Sequence, residues 1–285
     1  MFVNDLQLNF QAVGQGPVVL CLHGWASSLT MWQRTCQRLA SAYYVISLDL
    51  PGFGDSSRPP SAFDFGAENY AAVVAAFLGQ TTPDPAVVLG HSMGGLIAVQ
   101  LALHYPRLVS GLVLSNPVIT GHIGPGLSVF LRSRLGQHVL NLSQHSHLLA
   151  HLGQQTIFAD ARFFHGAARR RSMVDMARAA PDAVAGCLRA ILNSDVSERL
   201  PAIQTPTLVI TGAHDRTVPV TDARLAAQRI PGAHLAVVPR ASHLPMDEQP
   251  VLFDRLVESY LARYGVRPRL SADAALESTN TEPQP

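Results

Sequence analysis

The feature that most restricts how this chain can fold is a succession of short, unbroken apolar runs at 18–22, 44–48, 86–89 and 112–114. Each is rich in β-branched residues and closed by turn formers. A strand with one wet face alternates apolar and polar residues, so unbroken runs of this length fit strands covered on both faces, as in a parallel sheet. Between them, 31–40, 68–78 and 96–104 carry helical spacing, the last closed by Tyr105-Pro106. The alternation returns with strand-like runs at 207–211 and 235–238 and helical stretches at 221–230 and 250–264. Such alternation predicts an α/β fold, a mostly parallel sheet flanked by helices.

The stretch 118–200 breaks the rhythm. It shows no clear buried strand and sets Leu, Ala, Arg, His and Gln at loosely helical spacing. We expect a helical insertion there, a cap or lid on a core made of 1–117 and 201–265. Nine arginines face Asp160, Asp175, Asp182, Asp195 and Glu198 in the insertion, a net of +4, while the rest of the chain is net −3. The insertion is therefore expected to be a local basic patch. Over the whole chain 21 basic residues balance 20 acidic ones, which leaves no overall field for nucleic acid or anionic lipid.

Hydrophobic residues make up 47% and charged residues 14%, a globular composition. Residues 266–285 have few large apolar groups and are expected to form a loose tail. Cys21, Cys36 and Cys187 are widely spaced and suit neither a disulfide framework nor a zinc cluster. His145, His147 and His151 come closest to a metal-binding spacing but do not make a convincing one, and no metal is expected. The start, MFVNDLQLNF, lacks a basic and apolar leader, and no apolar run reaches the roughly 20 residues of a membrane span. A soluble, cytoplasmic protein is the expectation.

Gly90-His91-Ser92-Met93-Gly94 fits G-x-S-x-G. It follows the run 86–89 and opens the apolar helix 96–104, the strand–turn–helix context of a nucleophile elbow. Gly90 and Gly94 suit a strained turn in which larger flanking side chains would collide with strand and helix. The plain alternative is a glycine-rich turn with a helix-capping serine.

A serine hydroxyl becomes a useful nucleophile when a histidine takes its proton and a carboxylate orients that histidine. In the elbow architecture the partners follow in the order Ser, acid, His. Asp215 comes 123 residues after Ser92, beyond the run 207–211, and His243 comes 28 residues later, beyond 235–238. Both sit past the carboxyl ends of strands, where open α/β sheets place their sites. One strand earlier the chain reads Ser115-Asn116-Pro117, without an acid. Asp215 is the preferred acid, with Asp49 as the alternative, and His214 is the alternative base. Donors for an oxyanion would be the backbone N–H of Met93 and that of Trp25, in the loop His23-Gly24-Trp25-Ala26 after 18–22. His23 would fix that loop by hydrogen bonds, with Gly24 beside it.

With HGW at 23–25, DLPGFGDS at 49–56, GHSMGG at 90–95, GAHD at 212–215 and HLPMDEQP at 243–250, the sequence resembles the α/β-hydrolase family, in the branch with a helical cap. The resemblance covers about residues 6–265 outside the cap. It implies an eight-stranded, mostly parallel sheet with the cap inserted after the sixth strand. Haloalkane dehalogenases and epoxide hydrolases carry an aspartate at the nucleophile position, so Ser92 argues against both. Among serine members the motifs are most like carboxylesterases, including the carrier-protein methyl ester esterases. That implies a cofactor-free hydrolase cleaving small carboxylic esters through an acyl-enzyme, with anionic or carrier-bound substrates favoured if the basic insertion acts on them. Ala26 departs from the HGWP of cofactor-free haloperoxidases and perhydrolases, and Trp25-Ala26-Ser27 departs from the HGxGPG of carbon–carbon bond hydrolases. Those activities are the competing enzyme readings, and a noncatalytic ligand binder is the rival from another class.

Overall fold

The computed structural model describes residues 1–124, 126–143 and 166–264. The tail at 266–285 and His145, His147 and His151 lie outside the described residues.

The strands are β1 (Phe2–Val3), β2 (Leu6–Gln7), β3 (Phe10–Val13), β4 (Val18–Leu22), β5 (Tyr44–Leu48), β6 (Ala86–His91), β7 (Val109–Ser115), β8 (Thr207–Gly212) and β9 (His234–Val238). Seven of them form one sheet in the order β3-β5-β4-β6-β7-β8-β9. Only β3 runs antiparallel to its neighbour. Among the described residues the sheet thus has seven strands where the resemblance implied eight. Asn4 and Asp5 take positive φ angles of 46° and 64°, the requirement of a tight two-residue hairpin turn. The short flanks β1 and β2 therefore pair with each other and leave the sheet edge to β3.

Successive residues of the buried strands point to opposite faces. Leu20, Leu22, Ile46 and Leu48 enter one apolar cluster with α2 (Ala67–Thr81) and α3 (Met93–His104). Val19, Cys21 and Val45 enter the other with residues of α1 (Gln33–Leu39) and the carboxyl-terminal helix at 250–264. This two-sided burial is why the strands read as unbroken apolar runs. Helix α3 is buried all round from Met93 to Ala102, so it shows no amphipathic stripe.

Between β7 and β8 the described chain contains α4 (Leu127–Arg132), α5 (Arg134–Ser143), α6 (Gly166–Arg178) and α7 (Pro181–Leu192), in the stretch where the strand rhythm failed. Val184, Cys187, Leu188 and Ile191 line the buried stripe of α7. Burying an aliphatic side chain of this size stabilises by roughly 1.5–3 kcal/mol. After β8 come α8 (Val220–Arg229), α9 (Pro245–Glu248) and α10 (Pro250–Tyr264).

The strand order fixes where loops can meet. β5 lies on one side of β4 and β6 on the other, so the chain reverses its direction of progress across the sheet at the β4–β6 pair. A crevice opens at such a point, beyond the carboxyl ends of the strands. Leu22 pairs in register with Gly90, which brings the loop at 23–26 alongside Ser92.

Candidate active site

Ser92 sits between β6 and α3 with φ 54° and ψ −114°, a conformation that L residues avoid at a cost of about 1–3 kcal/mol. The surroundings hold it there. Its N–H donates to Ser115 O at 2.9 Å, and its carbonyl accepts from Gly95 and Leu96 at 3.0 and 3.1 Å. A Cβ on Gly90 would lie 2.3 Å from Gly94 O, and one on Gly94 would lie 2.4 Å from Leu22 O, so the turn closes only with glycine at both places. A Cβ on Gly24 would come within 2.7 Å of His91 Nδ1 and 3.3 Å of Ser92 Cβ, which shows how closely the 23–26 loop approaches the serine.

Ser92, His243 and Asp215 form one hydrogen-bonded chain. The Ser92 hydroxyl lies 3.1 Å from His243 Nε2, and His243 Nδ1 lies 2.8 Å from Asp215 Oδ2. A carboxylate only accepts, so Nδ1 carries the proton and Nε2 presents its lone pair to the hydroxyl. Asp215 Oδ1 accepts from the N–H groups of Thr217 and Val218, and Oδ2 also accepts from Asn116 Nδ2 at 2.7 Å. All three members of the chain are buried.

This geometry separates the residues that the sequence left as alternatives. Asp215, not Asp49, meets His243 Nδ1; Asp49 ties loops together, accepting from Leu29 N, Asp55 N and Asn9 Nδ2. His214 is exposed, whereas His243 contacts both serine and acid. His23 is buried with Nδ1 2.8 Å from Gly24 O, and Leu50 N donates to its Nε2 at 3.0 Å. Burial pushes its imidazole below the ordinary histidine value. Met93 opens α3, where the first amides have no acceptor inside the helix, and Trp25 lies in the loop facing it.

A pocket opens beside this chain. Trp25, Met31, Val118, Ile123, Leu188 and Ile191 give it apolar walls, and Arg171 and Ser172 of α6 border it with Ser92 and His243. Residues of α6 and α7 thus meet the loops after β4, β6 and β9 around one cavity.

The shared architecture is more than a likeness of motifs. Residues 17–250 match the family description of the alpha/beta hydrolase fold. The chain belongs to the α/β-hydrolase fold family. This hydrolase-fold chain is 29% identical over 262 residues to the pimeloyl-(acyl-carrier protein) methyl ester esterase of Yersinia enterocolitica, a match covering 89% of the chain and 97% of the relative. It is 28% identical to 3-oxoadipate enol-lactonase 2 of Acinetobacter baylyi, covering 91% of the chain and 95% of the relative. Among solved structures it is similar to a thermophilic esterase of Thermogutta terrifontis, with 27% identity, a TM-score of 0.74 and coverage of 91% and 94%. Among the described residues no helix is long and apolar enough to cross a membrane.

Three further residues of this α/β hydrolase surround the chain without having been singled out by the sequence reading. Asn116 occupies the strand end that was noted only for lacking an acid, and its amide also reaches Ser242 O at 3.2 Å. Glu248 accepts from the amides on either side of His243, those of Ser242 and Leu244. His91 donates from Nε2 to His243 O at 2.8 Å, and its ring lies 4.7 Å from that of His243. A carboxylate in the HLPMDEQP motif was the one available signal for Glu248.

Proposed function

We propose that this protein is a serine hydrolase that cleaves carboxylic esters through an acyl-enzyme, with Ser92, His243 and Asp215 as its triad. The observation that carries the reading is the unbroken hydrogen-bond chain from the Ser92 hydroxyl through His243 to Asp215. In the first step Ser92 Oγ attacks the ester carbonyl while His243 Nε2 takes its proton. The carbonyl oxygen becomes an oxyanion held by the N–H groups of Trp25 and Met93. Collapse of the tetrahedral species breaks the bond to the alcohol, which leaves with the proton from His243. Water then attacks the acyl-serine by the same route, releases the acid and restores Ser92. Asp215 keeps His243 in the required tautomer and stabilises its charged form.

In this reading 118–200 is a cap over the pocket, and the mainly apolar wall suits an ester's carbon chain. The names of the esterase and lactonase relatives support ester chemistry and suggest small or carrier-bound substrates. Arg169 and Arg170 are exposed on α6, beside the wall residue Arg171. Their exposed charge supports a preference for an anionic substrate or carrier. The test is turnover of p-nitrophenyl acetate and butyrate together with labelling by a fluorophosphonate. Wild type should do both and Ser92→Ala neither; a wild type inert in both assays would overturn the reading in favour of a binder.

A further inference from the structure

Asp175, on α6, is a carboxylate for which the proposed reaction has no use, yet it is 2% exposed. Among the described residues its hydrogen-bond partners are hydroxyls, while His23 and Arg171 act on it only through their charge. Ser28 Oγ donates to Oδ1 at 2.8 Å, while Thr30 Oγ1 and Ser27 Oγ stand 3.3 and 3.4 Å from Oδ2. A buried carboxylate held by hydroxyls, with no cation in hydrogen-bond contact, is costly and uncommon. Burial pushes Asp175 above the ordinary carboxylate range, and the Ser28 hydroxyl, the charges of His23 and Arg171 and the Thr30 hydroxyl pull in the other direction.

The three hydroxyls follow directly on Gly24-Trp25-Ala26. Ala26 has φ 56°, in the left-handed region that alanine seldom enters, so this loop needs outside support to keep its shape. A 3.3 Å bond from Ser27 N to Gly24 O closes its turn. Asp49 ties the segment from the core side, accepting from Leu29 N at 2.7 Å, and the insertion ties it from the other side, with Asp175 on the hydroxyls and Val184 O of α7 accepting from Trp25 Nε1 at 2.8 Å.

Resting on the esterase reading above, we propose that Asp175 is a positioning residue. Carried on the insertion, its carboxylate fixes residues 27–30 and so holds the Trp25 N–H in place, with that of Met93, to receive the oxyanion. The oxyanion site is then complete only while α6 is seated. Ground-state substrate binding does not depend on that N–H, whereas the tetrahedral species does.

The experiment compares wild type with Asp175→Asn, which keeps the shape but weakens acceptance from the hydroxyls, and with Ser28→Ala. Asp175→Asn should lower kcat on p-nitrophenyl butyrate roughly 10- to 100-fold with KM changed less than about twofold, since losing one oxyanion donor outright costs about 10²–10³. Affinity for an alkyl boronic acid, whose serine adduct is tetrahedral, should fall by the same factor. Ser28→Ala should move both quantities in the same direction by less. Amide hydrogen exchange at 25–29 should quicken in Asp175→Asn at matched global stability. A lower melting temperature with kcat and boronate affinity unchanged would overturn the proposal and leave Asp175 as a packing residue. Should wild type neither hydrolyse esters nor react with fluorophosphonate, the esterase reading fails by itself. The exchange measurement still decides then, and unchanged protection at 25–29 would sink the inference.

Discussion

Asn116 Nδ2 lies 2.7 Å from Asp215 Oδ2, the same oxygen that accepts from His243. An amide from the end of β7 thus shares the acid of β8. Replacing Asn116 by Ala should lower kcat/KM by roughly tenfold, since a hydrogen bond to a charged group contributes about 1.5–3 kcal/mol. Asn116→Asp should set a second carboxylate beside Asp215. Added negative charge favours the protonated imidazole, so the acidic limb of the kcat/KM profile should move to higher pH. A profile from pH-dependent kinetics that coincides with wild type would refute this coupling.

The triad should behave as a unit. Ser92→Ala and His243→Ala are each expected to lower kcat/KM by about 10⁴ or more, with the double variant little worse than either. Asp215→Asn should be severe, because the amide favours the wrong tautomer. Steady-state kinetics on p-nitrophenyl butyrate checks all four, and a Ser92→Ala protein keeping more than a few per cent of the rate would show another nucleophile.

Stability should fall on mild acidification. Burial is the leading cause that lowers His91 well below, and His23 below, the ordinary imidazole value. An unfolded chain therefore binds protons near its free value of about 6.5 that the folded one refuses. Their contribution is complete above that value and is lost as pH falls below it. Asp175, Asp222 and Glu248, raised by burial, act with the opposite sign and cannot produce this fall. Thermal melts between about pH 7.5 and 5.5 should show a declining Tm, with a shallower decline in His91→Gln. A Tm independent of pH in that window would contradict the assignment.

Substrate charge should matter modestly. Methyl hydrogen pimelate is expected to be preferred to a neutral methyl ester of equal length by about two- to fivefold at low salt, the size that exposed ion pairs allow. The preference should fade at high salt. Changing Arg169 and Arg170 together to Ala should level the two specificity constants, and equal constants for wild type in low salt would make these arginines ordinary surface. Arg171 is left alone in this test because its guanidinium is already paired with Asp247 at 2.7 Å.

The sequence exposed the parts of the candidate site that depend on local pattern. The β6 elbow was readable because an apolar run, a glycine-framed serine and a helix are contiguous, and Asp215 and His243 because each follows a strand. What stayed hidden depends on surfaces meeting at long range. Asn116 reads as a missing acid until its loop, with φ 48°, turns the amide toward Asp215. Asp175 reads as one acid in a basic stretch until α6 buries it against hydroxyls 147 residues away. β3 escaped notice because only four residues with alternate burial mark it, and the hairpin at β1 and β2 because two-residue strands carry no period.

The strand order has a kinetic meaning for a molecule whose serine and histidine hang from different places in it. Ser92 leaves β6, which has a bonded neighbour on each side, whereas His243 follows β9, which among the described residues is bonded to β8 alone. Ladders open from their free margins at a lower free-energy cost than from their centre. Fraying of β9 would carry the imidazole away from the hydroxyl while the remaining six strands stay paired. Heat inactivation should therefore run ahead of the loss of secondary structure and reverse on prompt cooling, and a staple across β8 and β9 would lengthen the working life of the enzyme more than it raised its melting point.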